Sequence, residues 1–203
     1  MKKSFAVAAS VVLILMTVTS CVTPSFEWVP TKIAILPFTN ESADVSVDKF
    51  ARAYLYERIS SLNRHEVLSL DVVDAALEEM GITEGGQLPT ATVQEICEKT
   101  GADGIIYGDV LVAKRVMLGL YFNKEFECHY TMYRGNDGVV FWDETKNDSE
   151  KKIVLDPDEM LKTAASAMVN EIATDTLLKA FKSHPLYKQI ESVTNSAIWT
   201  LPR

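Results

Sequence analysis

The chain has 203 residues, 47% of them hydrophobic and 24% charged, and a formal net charge of −8. That length and apolar content suffice for one domain with a real core. The acidic balance repels phosphate backbones and anionic lipid, which excludes nucleic acid as a partner and leaves no overall charge to hold the chain on a membrane.

Lys2 and Lys3 form a basic start, and Phe5 to Val18 is apolar except for Ser10 and Thr17. This run is shorter than the roughly 20 apolar residues of a comfortable membrane span and fits the core of a secretory signal. Val18-Thr19-Ser20-Cys21 follows: an aliphatic residue, two small ones and a cysteine. It resembles the lipobox of bacterial lipoproteins, where small side chains let the peptidase approach the backbone and the thiol accepts diacylglycerol. The resemblance implies cleavage between Ser20 and Cys21 and lipidation of Cys21, leaving 183 residues. Lys2 and Lys3 depart with the signal, so the mature chain carries about −10. Two or three acyl chains, at ~0.8 kcal/mol per buried methylene, hold a protein on a bilayer essentially permanently. By resemblance to the sorting rule of enteric-type bacteria, Val22 after the cysteine points to the outer membrane, facing the periplasm. Residues 21–30, with Pro24 and Pro30, read as a tether.

Lys32 to Phe38 is a short apolar run closed by Pro37 and polar residues, which predicts a buried strand. Thr39 to Ser46 is a polar loop. A helical period begins at Val47, with Phe50, Tyr54, Leu55, Ile59 and Leu62 on one side and Lys49, Arg52, Glu57 and Arg58 largely on the other. Glu66 to Leu70 predicts a second strand. Asp71 opens a short helix with Val72, Val73, Ala76, Leu77 and Met80 inward, closed by Gly81. Gly85 to Pro89 reads as a loop, and Thr92-Val93-Gln94-Glu95 as a capping box opening a third helix that stops at Gly101.

Ala102 to Val110 begins the next strand. Phe122, Phe126, Cys128, Tyr130 and Met132 then alternate with Asn123, Glu125, Glu127, His129 and Thr131, the pattern of a half-buried strand. Gly135-Asn136-Asp137-Gly138 is a hairpin turn into Val139 to Trp142. Asp156-Pro157-Asp158-Glu159 starts a helix that runs to about Phe181, before Ser183-His184-Pro185 ends it. The order β-α-β-α-α-β-β-β-α predicts a single α/β (α+β) domain over residues 31–183, with helices packed on a mixed sheet. Residues 184–203 keep Leu186, Tyr187, Ile190, Ile198 and Trp199, and are expected to pack back on it.

Three strings in this order resemble the CsgG, FlgO and TolB amino-terminal type of periplasmic domain. They are Ile33-Ala34-Ile35-Leu36-Pro37-Phe38-Thr39-Asn40, Gly101-Ala102-Asp103-Gly104-Ile105-Ile106-Tyr107-Gly108 and Asp137-Gly138-Val139-Val140-Phe141-Trp142. With the lipobox and His184-Pro185-Leu186-Tyr187, the chain is similar to a family of bacterial lipoproteins of unknown function related to that group. The resemblance covers roughly residues 31–183 and implies a periplasmic α/β domain, often encoded beside other CsgG-like lipoproteins, without an established enzymatic activity.

The sequence offers little chemistry. It has no Gly-x-Ser-x-Gly elbow, no His-Glu-x-x-His helix and no Cys-x-x-Cys, and the glycines from Gly101 to Gly108 stand in a strand and not at a phosphate-cradling turn. His65, His129 and His184 are scattered singly. No metal and no cofactor is expected. Cys97 and Cys128 form a pair that an oxidising compartment would bridge, although Cys97 also falls on an apolar helix face, where a free thiol behaves as a small hydrophobe. Asp103 and Asp109 flank a buried strand and are weighed as paired carboxylates, against Asp103 capping turn amides and Asp109 lying at the sheet's rim. The Asn40 to Asp44 loop lies beyond the end of the first strand, where open α/β sheets bind ligands; its bland use is to let Asp44 or Ser46 cap the next helix. Tyr187 and Trp199 are candidates for a partner surface, or for closing the core.

The sequence thus points to a lipid-anchored, non-enzymatic component of an outer-membrane-associated assembly, with other envelope components as partners. The alternative is a subunit of a CsgG-like oligomeric secretion channel, and with it a homo-oligomer. For that reading Val116 to Tyr133 is the one candidate membrane strand region, with Lys124 on its apolar face.

Overall fold

Ile33 to Leu36 is an unbroken apolar run because both of its faces are covered. Ile33 and Ile35 enter one core, Ala34 and Leu36 a second. They lie inside the sheet of the computed structural model, whose described residues are 29–118, 121–153 and 184–202. In chain order the elements are β1 (Lys32–Ile35), β2 (Thr39–Asn40), α1 (Val47–Ser61), β3 (Glu66–Val67), α2 (Leu70–Glu78), a 3-10 helix (Gly85–Thr90), α3 (Val93–Thr100), β4 (Gly104–Leu118), β5 (Tyr121–Arg134), β6 (Val140–Ile153) and α4 (Tyr187–Ile198).

The sheet runs β3-β1-β4-β5-β6, with β2 also against β4. β1 pairs parallel with β3 and β4, and β2 parallel with β4. β4, β5 and β6 form an antiparallel meander. This is the mixed sheet of one α/β domain that the order of elements predicts. Ile35 and Ile106 pack with α1 and α4 on one face, while Leu36 and Ile105 pack with α2, α3 and the 3-10 helix on the other.

Local chemistry explains the short helices. Thr92 Oγ1 accepts from Glu95 N, and the Glu95 side chain accepts from Thr92 N, so two backbone donors at the start of α3 are satisfied. Gly101 ends that helix at φ +72°, and Gly81 follows α2 at φ +78°, both in the left-handed region.

The structure departs from the sequence reading in four places. The polar loop after Phe38 contains β2, because Thr39 and Asn40 find partners in Asp109 and Val110 of β4. Gly85–Thr90 coils into a 3-10 helix, closed by a capping box between Glu84 and Gln87. The second strand is only Glu66–Val67, and Leu70 already belongs to α2. The return strand extends to Ile153, far past Trp142, through a stretch dominated by charge. Its residues have little intrinsic strand preference and are held by continuous pairing to β5. The expected helix 156–181 lies outside the described residues.

Residues 186–201 complete the first core. Leu186, Ile190, Val193, Ala197, Ile198 and Leu201 are buried in it. Tyr130 Oη and Thr194 Oγ1 share a hydrogen bond of 3.0 Å, and Trp142 Nε1 donates to Thr200 Oγ1 at 3.0 Å. Trp142 also stacks on Tyr130, centroids 5.9 Å apart.

Candidate functional site

Beyond Leu36 the chain breaks its pairing with β4 at Pro37 and Phe38 and resumes it, still parallel, at Thr39. Phe38 makes this passage possible by turning inward, where its ring meets Tyr130 edge-on at 6.1 Å. Two glycines give it room. A Cβ on Gly108 would lie 2.4 Å from the Phe38 ring, and one on Gly85 would lie 2.4 Å from the Phe38 carbonyl oxygen. The 3-10 helix therefore seats directly on the end of β1.

A crevice of about 1150 Å³ opens there. It lies where β3 and β4 flank β1 on opposite sides, so that the connecting helices diverge to opposite faces. This is the position at which open α/β sheets leave a binding cleft. The lining holds seven carboxylates, those of Glu41, Asp48, Glu57, Asp71, Asp74, Glu84 and Asp109, against two cations, Lys49 and Arg52. Arg52 is buried, and its guanidinium donates to Ile35 O at 2.9 and 3.1 Å and pairs with Asp74 at 2.7 Å. A buried arginine so held ties α1, β1 and α2 together, and its charge is already compensated.

The Asn40 to Asp44 loop forms part of this rim and is internally satisfied. Asn40 Nδ2 donates to Asp44 O at 2.7 Å, and Asn40 Oδ1 accepts from Ser42 N at 2.9 Å. Asp44 Oδ1 accepts from Ser46 N and Oγ. Ser46 occupies the N-cap position of α1 yet makes no side-chain cap bond; the turn is closed by Asp44 instead.

Asp103 and Asp109 are not a pair. Asp103 immediately precedes β4 and Asp109 lies within it, so six extended residues separate them by roughly 20 Å. Asp103 accepts from Thr31 N and Oγ1 and from Lys32 N, tying down the start of β1. Burial opposes its ionisation, but those hydrogen bonds from Thr31 and Lys32 outweigh it and hold the carboxyl below the usual range. Asp109 is not at the rim of the sheet. It sits in β4 between β2 and β5, where Thr39 Oγ1 donates to it at 2.5 Å and His129 Nδ1 lies 3.4 Å away. His129 Nε2 is 2.9 Å from Asp143 on β6 and 3.3 Å from Thr131 Oγ1. Sequence reading missed this Thr39-Asp109-His129-Asp143 row because its members come from four strands. Both ring nitrogens of His129 face carboxylates.

His65 and His184 are likewise structural. His65 Nδ1 bonds to Pro30 O at 2.7 Å. His184 Nδ1 accepts from Leu186 N, and Nε2 lies 3.5 Å from Asp44 Oδ2. Cys97 and Cys128 are free and buried in the two separate cores, on opposite faces of the sheet. The sheet itself stands between them, so the bridge weighed from sequence is not formed. Burial pushes the Cys97 thiol up to about 11 and the Cys128 thiol up to about 12. Tyr187 is half-buried against Tyr54, while Trp199 is 80% exposed. Twelve helical residues separate them by about 18 Å, so they do not form one patch. Ser20 and Cys21 lie outside the described residues.

The fold has counterparts among solved structures. Lipoprotein GNA1162 from Neisseria meningitidis superposes with a TM-score of 0.54 at 20% identity, covering 72% of this chain and 100% of that one. The chain thus shares its fold with that lipoprotein. PelC from Paraburkholderia phytofirmans, solved as a dodecamer, superposes with a TM-score of 0.50 at 9% identity, covering 85% of this chain and 89% of that one. No protein-family profile and no curated sequence matches the chain.

Proposed function

We propose that this is a lipid-anchored, non-enzymatic envelope protein that holds a positively charged segment of a partner in its acidic crevice, as a component of an outer-membrane-associated assembly. The crevice carries the reading. Its lining has seven carboxylates and two cations, one of them already bound to Asp74 and Ile35 O. Low-dielectric walls focus such a field and favour basic groups. The lipobox supports anchoring through Cys21, and the resemblance to the CsgG, FlgO and TolB type of domain supports a periplasmic setting. The test is a pull-down of the lipidated protein from its own envelope, beside the Glu41→Lys and Glu57→Lys double variant. A partner retained by the unaltered protein and lost from the variant is expected. Equal retention by both would remove the crevice from the reading.

A second reading, a subunit of an oligomeric secretion channel, is favoured by one feature. β4 and β5 run for 15 and 14 residues, beyond the roughly 9–11 that a membrane strand needs. Against it, the hairpin carries Lys114, Arg115, Lys124 and Glu125 within that length. A sized ring that conducts ions in liposomes would establish the channel.

A further inference from the structure

The far end of the meander gathers exposed apolar and basic side chains. Its last cross-strand rows join Leu118 to Tyr121 and Tyr121 to Ile153, then Met117 to Phe122 and Phe122 to Lys152. Leu118 is 69% exposed, Ile153 65%, Met117 46% and Tyr121 37%. Large apolar side chains this exposed are ordinary when single and meaningful when gathered at one place. Just behind them stand Lys114, Arg115, Lys124, Lys151 and Lys152, against Glu125 and Glu150. These rows therefore carry +3 in a chain of net −8. Strand alternation places Lys114 and Lys151 on the face of Leu118, Tyr121 and Ile153, and Arg115, Lys124 and Lys152 on the other face. Lys124 lies over the Phe122 ring at 5.2 Å. The end of the sheet is thus an apolar tip with a cationic collar on both faces.

We infer that this tip rests on a bilayer surface containing anionic phospholipid, the apolar side chains entering the headgroup boundary and the collar meeting the phosphates. The basic charge of this end contrasts with the crevice and with the chain as a whole, both acidic. Each basic residue near such a surface contributes about 1 kcal/mol, and shallowly buried apolar groups add to it. The geometry allows contact with the anchoring membrane. Thr31, bonded to Asp103, marks the opposite end of the sheet, about 46 Å from Leu118. Ten tether residues reach roughly 33–36 Å, so the sheet meets the bilayer at both ends when it lies along it. The tip then fixes orientation and the lipid fixes attachment.

The inference concerns the tip alone, so it is tested without the lipid. The mature chain from residue 22, made unlipidated, is floated with vesicles of phosphatidylcholine alone or mixed with phosphatidylglycerol. Binding to the mixed vesicles only, and its loss in high salt, are expected. Lys114→Gln with Lys151→Gln should weaken binding about thirtyfold, Leu118→Ser with Ile153→Ser should also weaken it, and Arg64→Gln, exposed beside β3 at the opposite end of the sheet, should leave it unchanged. Unshifted melting of these exposed-site variants separates lost contact from lost folding. A dye placed through Leu118→Cys should be quenched from the headgroup region. Absent or charge-independent binding would overturn the inference and leave anchoring through Cys21 untouched, and quenching from the bilayer centre would overturn it in favour of strand insertion.

Discussion

At the scale of single residues, His184 shows how a side chain outside any catalytic arrangement can still make the fold sensitive to pH. It is buried against Phe50, with Asp44 beside it and Arg115 and Lys124 in its field. Burial depresses its pKa, the Asp44 charge raises it, and the two cations lower it further. The folded state thus prefers the neutral ring, consistent with Nδ1 accepting from Leu186 N. Stability from this preference is present above the unfolded value of about 6.5 and is lost as pH falls below it. Melting temperature should fall between pH 7 and pH 5, and His184→Gln should flatten that fall. The two thiols act in the opposite direction. Their folded pKa values, about 11 and about 12, lie above the unfolded value, so their contribution is present below about pH 8.5 and is lost above it. Neither cysteine should react with iodoacetamide at pH 8 until denaturant opens the core; rapid labelling of the native chain would contradict their burial.

At the scale of elements, the passage around Phe38 and the helix α4 are the two joints that hold the site in place. Gly85→Ala puts a methyl into the Phe38 carbonyl, which cannot yield without moving β1. A loss of about 1–3 kcal/mol is expected, the usual cost of overpacking a close-fitted position, while Gly86→Ala, with open space around it, should change little. Denaturant midpoints of the two variants make the comparison. Helix α4 buries Ile190, Val193, Ala197 and Ile198, with Leu186 and Leu201 at its ends. A fully buried large aliphatic side chain contributes about 1.5–3 kcal/mol, against a total stability of about 5–15 kcal/mol. Ending the chain at Ser183 should therefore lower the melting temperature by more than about 10 °C or abolish a cooperative transition. Unchanged melting would mean that the packing of α4 is dispensable.

At the scale of the whole molecule, attachment and assembly are separable. Replacing residues 1–21 by an ordinary cleavable secretory signal should give a chain that leaves the membrane fraction on a salt wash, because the acyl chains proposed on Cys21 supply the permanent attachment and charge-driven contact is screened by salt. Retention in the washed pellet would show that something other than the Cys21 lipid holds it. The elements legible in the sequence were those governed by neighbours along the chain. Thr92 and Glu95 fix the start of α3, Gly101 its end, and the apolar run from Ile33 to Leu36 the central strand, all through interactions within a few residues. β2, the long reach of β6 and the Thr39-Asp109-His129-Asp143 row were not legible, because their partners lie up to 70 positions away and only the closed sheet brings them together. Composition alone determined an acidic chain, and the periodicity of its apolar residues a mixed α/β order. Only tertiary structure separated Cys97 from Cys128, gathered the carboxylates around one crevice and left the basic residues at the far tip, since charge and burial at a position depend on what the fold places beside it.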